Sequence, residues 1–256
     1  MQIENTATLK TKGVNFLVYG ASGAGKTYLC STLPKPLIIS AEGGLLTLSH
    51  TDIPFITVKT PEDVDEVLMY LENVINLDTL KAQMESAEFK ALSTDQQKSI
   101  TEQFKMLEYF STFETVCLDS ITEIAEVILS KEKSNSKDGR MAYLVMGDQI
   151  NTYIRRFRDL PFNTYFTAKL DKMQDEMGKV LYSASLPGRK TSGNLPYFFD
   201  EVFALRTERS EDGTVKRVLQ TADDGIFNAK DRSGVLNYYE EPNLGTILSK
   251  IKGETK

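Results

Sequence analysis

The chain has 256 residues, 41% apolar and 26% charged, with a net charge of −6, which suits one large α/β domain or two small ones with a substantial core. No apolar run approaches the roughly 18–20 residues that cross a bilayer, and the first residues, Met1-Gln2-Ile3-Glu4-Asn5-Thr6, lack a signal-peptide layout, so a cytoplasmic protein with no membrane partner is expected. The acidic balance excludes a surface coated with nucleic-acid-binding charge but leaves room for a local basic groove. Cys30 and Cys117 lie in apolar stretches and read as buried free thiols. His50, in a polar Ser-His-Thr-Asp run, reads as a surface loop residue.

Residues 1–14 are polar and read as a flexible N-terminal arm. A short apolar strand, Phe16 to Tyr19, enters Gly20-Ala21-Ser22-Gly23-Ala24-Gly25, which closes with Lys26-Thr27 and continues into the helical Tyr28-Leu29-Cys30. This is a P-loop in its proper context. Glycines let successive backbone N–H groups curl around a phosphate, and the next helix turns its positive end to the same oxygens. Residues Gly20 to Tyr28 are therefore the candidate cradle for ATP, with Lys26 reaching the β- and γ-phosphates and the Thr27 hydroxyl holding Mg²⁺.

Leu33-Pro34-Lys35-Pro36 stops that helix. Strands are expected over Leu37–Ser40, which runs into Ala41-Glu42-Gly43-Gly44, and over Ile53–Val58. Thr60-Pro61-Glu62-Asp63 is a helix start, and apolar residues from Val64 to Ile75 recur at helical spacing. Residues 62–112 read as a helical insertion. Thr115-Val116-Cys117-Leu118-Asp119-Ser120 has the pattern of a Walker B strand, with Asp119 on the metal side of the P-loop.

A helix follows over Ile121–Leu129, then a polar, basic loop over 131–140, and a further helix over Met141–Leu160. Asn163–Ala168 is a strand with Lys169 at its end. Leu170–Gly193 reads as a mobile stretch in which Lys179–Ser185 could supply one arm of a hairpin. Val202–Thr207 and Val215–Thr221 form a hairpin with Glu211-Asp212-Gly213-Thr214 as the turn. Asn228–Gly234 is a polar loop and Asn243–Ile251 a closing helix. The alternation predicts a single α/β domain over 1–256: a mostly parallel sheet, helices on both faces, an antiparallel edge hairpin and the helical insertion.

Through Gly20–Thr27, Ile39-Ser40-Ala41-Glu42, Leu118-Asp119-Ser120, Leu186-Pro187-Gly188, Leu195–Asp200 and Ala229-Lys230-Asp231-Arg232, the chain resembles the RecA-like ATPases. It looks most like the small phage-encoded members that act in single-strand annealing and recombination. The resemblance implies a RecA-like P-loop core, ATP hydrolysis, and Glu42 as the carboxylate that polarises the attacking water. It also implies that Lys230 and Arg232 reach the nucleotide of a neighbouring subunit, so a homo-oligomer, ring or filament, is expected.

Single-stranded DNA is the implied partner, with a single-strand-binding protein as a second. Its contacts are expected from Lys131, Lys133, Lys137 and Arg140 on one loop and from Lys172, Lys179, Arg189 and Lys190 on another, with Tyr182 as a stacking surface.

Three other readings share the P-loop. A small-molecule kinase normally needs clustered arginines over its acceptor, and Arg155-Arg156-Phe157-Arg158 is the one such cluster. A GTP switch needs an Asn/Thr-Lys-x-Asp run, and Ala168-Lys169-Leu170-Asp171 lacks its first polar residue. The third reading is a nucleotide-binding scaffold or loading protein with little turnover.

Overall fold

Short apolar strands feeding helices build one mixed sheet, seen in a computed structural model that describes residues 13–135, 138–174, 178–209 and 213–254. The strands are β1 (Asn15–Gly20), β2 (Pro36–Ser40), β3 (Phe55–Thr57), β4 (Thr115–Asp119), β5 (Asn163–Gln174), β6 (Val180–Ala184), β7 (Glu201–Arg209), β8 (Val215–Gln220), β9 (Lys230–Asp231) and β10 (Tyr239–Glu240). The helices are α1 (Pro61–Asn73), α2 (Leu77–Glu85), α3 (Ala87–Lys90), α4 (Thr94–Phe110), α5 (Ile121–Asn135), α6 (Gly139–Arg158), α7 (Arg189–Asn194) and α8 (Leu244–Lys252). The strand order is β10-β8-β7-β1-β5-β4-β2-β3, with β6 added to β5 and β9 to β7. From β7 to β3 the neighbours along this order are parallel, and β8 and β10 extend the β7 side as antiparallel strands. The P-loop strand β1 and the Asp119 strand β4 are thus separated by β5, and the RecA-like α/β architecture expected from the sequence is the one observed.

Successive side chains on each strand go to opposite faces. Leu17, Tyr19, Leu37, Ile39, Val116, Leu118 and Phe166 join the buried residues of α1, α5 and α6 in one core. Phe16, Val18, Ile38, Cys117, Tyr165, Phe203 and Leu219 join Leu29, Cys30 and α8 in the other. Both cysteines are free and buried, and His50 is exposed in a turn.

Several expectations change. The segment after the P-loop is a single 3₁₀ stretch, Thr27–Thr32. Helix α1 starts on a capping box between Thr60 and Asp63, with proline in its first turn, and buries Val64, Val67, Leu68 and Leu71 in the core. It therefore belongs to the body of the domain, and the insertion narrows to α2, α3 and the start of α4. Helix α5 runs on to Asn135 and α6 begins at Gly139, so the basic loop expected over 131–140 shrinks: Lys131 and Lys133 are helical, because charged straight-chain residues form helix well. The stretch expected to be mobile carries the β5–β6 hairpin, with Leu170 opposite Ala184 and Gln174 opposite Val180. Residues 1–12 of the expected arm, Lys137, and the Glu211-Asp212 part of the expected turn lie outside the described residues.

Candidate nucleotide site

The carboxyl ends of β1, β2, β4 and β5 meet at one edge of the sheet, where open α/β sheets seat their ligands. In register, Gly20 stands beside Lys169 on one side and Leu205 on the other. A Cβ on Gly20 would come within 2.8 Å of the Leu205 carbonyl oxygen, so the loop can leave the strand there only through glycine. Gly25 has φ +108°, a conformation that L side chains rarely adopt.

Lys26 arches back over the loop, its Nζ donating to the carbonyls of Gly20 at 2.9 Å and Ala21 at 3.0 Å. Burial lowers its pKa, against the raising charges of Glu42 and Asp119, and Lys169 adds to the lowering. The Lys26 carbonyl accepts from Tyr165 Oη at 2.8 Å, which fixes the base of the loop to β5.

Thr27 Oγ1 donates to Asp119 Oδ2 at 2.7 Å, and Thr167 Oγ1 donates to Asp119 Oδ1. The aspartate is 2% exposed. One residue on, the Ser120 hydroxyl donates to Glu42 Oε1, while the Ala41 amide donates to the Asp119 carbonyl at 2.8 Å. Glu42 is exposed, so its free oxygen faces solvent beside the loop. A threonine hydroxyl and an aspartate carboxylate are hard oxygen donors of the kind Mg²⁺ takes together with phosphate oxygens and water. Among the described residues no three His, Cys, Asp or Glu side chains converge as a metal cage, so Thr27 and Asp119 would share the ion with the nucleotide.

Lys169 ends this row, its Nζ donating to Glu123 at 3.0 Å and to Glu126 at 3.2 Å. Beside the loop, Gly23, Ala24, Gly25, Tyr28, Leu29, Thr47, Leu205, Arg217 and Pro242 line a cleft of about 370 Å³. Thr167, the Ser120 hydroxyl and Arg217 are contributions the sequence reading missed. A threonine inside the apolar run Tyr165-Phe166-Thr167-Ala168 was the one available signal for the first.

Lys230 and Arg232 lie at the other end of the sheet, where β9 pairs with Glu201 and Val202 at the start of β7. Lys230 Nζ donates to the carbonyls of Pro196 at 2.7 Å and Phe199 at 2.5 Å, an internal tie that leaves it unsuited to reach outward. Arg232 is held by a surface ion pair to Asp200 at 2.7 Å, its own side chain 57% exposed.

The basic residues divide as well. Lys131 pairs with Glu62, and Lys133 lies over the Tyr143 ring at 5.0 Å. Arg140, Lys172, Lys179, Arg189 and Lys190 are exposed, and Lys179 lies against Gly225. Tyr182 is not a free stacking face: it stacks on Phe227 with ring centroids 4.6 Å apart, and its backbone carbonyl accepts from buried Tyr19.

A glycine cradle with its lysine, and a threonine–aspartate pair across a RecA-like sheet, define a P-loop nucleotide-binding domain. The family described as an AAA domain matches residues 12–233, and the chain belongs to that family. No curated protein matches it in sequence. Among solved structures it is similar to a KaiC-like protein of the hyperthermophilic archaeon Pyrococcus horikoshii, at 12% identity over 81% of this chain and 78% of that one. The TM-score of 0.35 is too low to transfer any residue role.

Proposed function

We propose that the protein is an ATP- and Mg²⁺-dependent ATPase that binds single-stranded DNA and promotes strand annealing in phage-type recombination. The observation that carries the hydrolytic part is the continuous row Thr27–Asp119–Ser120–Glu42, which sets a metal-binding pair next to a solvent-facing carboxylate. When bound, Mg²⁺ supplies positive charge at the phosphate oxygens. Lys26 exchanges the Gly20 and Ala21 carbonyls for β- and γ-phosphate oxygens. Glu42, oriented by the Ser120 hydroxyl, accepts a hydrogen bond or a proton from the attacking water.

Arg232 is proposed to complete the site of a neighbouring copy. A residue that serves the next subunit in a head-to-tail assembly has to lie far from its own P-loop, and a surface ion pair is weak enough to exchange. The DNA part is supported by Tyr143, whose ring lies under Lys133 and whose edge stands beside Gly188. That contact brings the end of α5, the start of α6 and α7 together, with Arg140, Arg189 and Lys190 exposed around it and Tyr197 79% exposed on the segment after α7. Cations and open aromatic faces are what a single strand requires.

ATP turnover with and without single-stranded DNA, alongside annealing of complementary strands, tests this reading. Glu42→Gln is expected to keep nucleotide binding while turnover falls by roughly 10²–10⁴-fold, whereas Lys26→Ala loses binding itself. Phosphate transfer to a small acceptor would favour a kinase instead, and binding without turnover would favour a scaffold.

A further inference from the structure

Strand β7 does not stop where β1 stops. Gly20 is opposite Leu205, yet β7 continues to Arg209 and pairs there with β8, Thr207 opposite Arg217 and Arg209 opposite Val215. The hairpin therefore overhangs the P-loop. Arg206 is engaged on that hairpin, with Gln220 at 2.6 Å and the Phe227 ring at 4.5 Å. Arg217 is different: its Nε and Cδ stand 3.6 and 3.7 Å from the point where a Cβ on Gly25 would lie. Its side chain makes no hydrogen bond or ion pair to any other described residue.

The Arg217 side chain thus stands beside Gly25 of the phosphate cradle with no carboxylate of the described residues paired to it. In a chain of net charge −6, an arginine unpaired with any described acid is suited to an anion that arrives from outside. The rest of the cleft states which anion. Tyr28, Leu29, Leu205 and Pro242 give it apolar walls, Thr47 adds one hydroxyl, and its volume of about 370 Å³ is within the range of small-molecule sites. Apolar walls next to a phosphate cradle fit a nucleoside attached to its phosphates.

We infer that Arg217 is a nucleotide-contacting residue supplied in cis by the β7–β8 hairpin, pairing with the α/β-phosphate end of a nucleoside di- or triphosphate whose nucleoside lies in this cleft. The inference rests on the nucleotide-binding reading above and adds a residue and a subsite to it. The two cations then have different targets, Lys26 the β- and γ-phosphates and Arg217 the end shared by ATP and ADP.

Equilibrium binding of ATP and ADP with Mg²⁺ tests it in the full-length chain, for wild type, Arg217→Ala, Arg217→Lys, Lys26→Ala and the neighbouring exposed control Lys216→Ala. Loss of a charge-assisted pair is expected to raise the Kd of Arg217→Ala by roughly ten- to a hundredfold for both nucleotides alike, with partial recovery in Arg217→Lys and no change in Lys216→Ala. An unaltered melting temperature in Arg217→Ala shows that the loss is local. A change below twofold overturns the inference, and so does a loss confined to ATP, which would place the arginine at the γ-phosphate. If wild type itself binds neither nucleotide, or Lys26→Ala binds as wild type does, the nucleotide reading fails first, and the two failures are told apart within one experiment.

Discussion

At the carboxyl end of the parallel strands Asp119 is 2% exposed, and hydroxyls of Thr27 and Thr167 satisfy its two oxygens. At the amino end Glu201 is 1% exposed, with one oxygen accepting from the Ser233 amide at 3.2 Å and the other without a donor among the described residues. Burial, followed by the charge of Asp231, pushes the Glu201 carboxyl up to about 8. Two acids equally removed from water therefore serve different ends. Donors that can also ligate a cation make Asp119 a place for charge to be received, while acidic company makes Glu201 a group that keeps its proton and belongs to the packing.

The amino end has a proposed part in chemistry only through Arg232, and the largest expected effect is there. Arg232→Ala is expected to lower turnover by roughly a thousandfold or more at concentrations where copies associate, with nucleotide affinity in dilute solution unchanged. Turnover that is unaltered in the associated protein would confine all chemistry to the other end. Asp119→Ala comes next, with a fall of roughly 10²–10³-fold at every protein concentration. Titrating Mg²⁺ in the variant checks the assignment, because a Mg²⁺ dependence like that of wild type would remove Asp119 from the metal pair.

The smallest effect belongs to Glu201→Gln. In the unfolded chain the carboxyl loses its proton near its ordinary value of 4.5, and in the fold near 8. The folded state thus binds the extra proton between these limits, and wild type loses stability as pH rises through that window. The melting temperature of wild type is expected to fall by a few degrees more than that of Glu201→Gln between about pH 5 and about pH 8. Parallel curves would mean that Glu201 titrates as an ordinary surface acid does.

The parts of this molecule that could be read from sequence are those whose cause is local. Gly20–Thr27 and the helix start at Thr60-Pro61 state their geometry within a few residues, and the apolar runs of β1, β2 and β4 are short and clean. Strand β5 beyond Lys169 was illegible, because Leu-Asp-Lys-Met-Gln gains strand structure only from β6, farther along the chain. The two-residue strands β9 and β10 carry no pattern at all. At the site, Lys26, Thr27 and Asp119 announce themselves. Thr167 and Arg217 reach it only because β5 pairs with β4 and β8 with β7, and Tyr182 faces Phe227 through contacts far apart in the chain.

Helices α2 and α3 contribute no buried side chain. Their amides can open to solvent by fluctuations that leave β1 and β4 closed, so the energetic threshold for melting them is far below that of the whole domain. Substitutions on these two helices are therefore expected to change the stability of the phosphate-binding edge little.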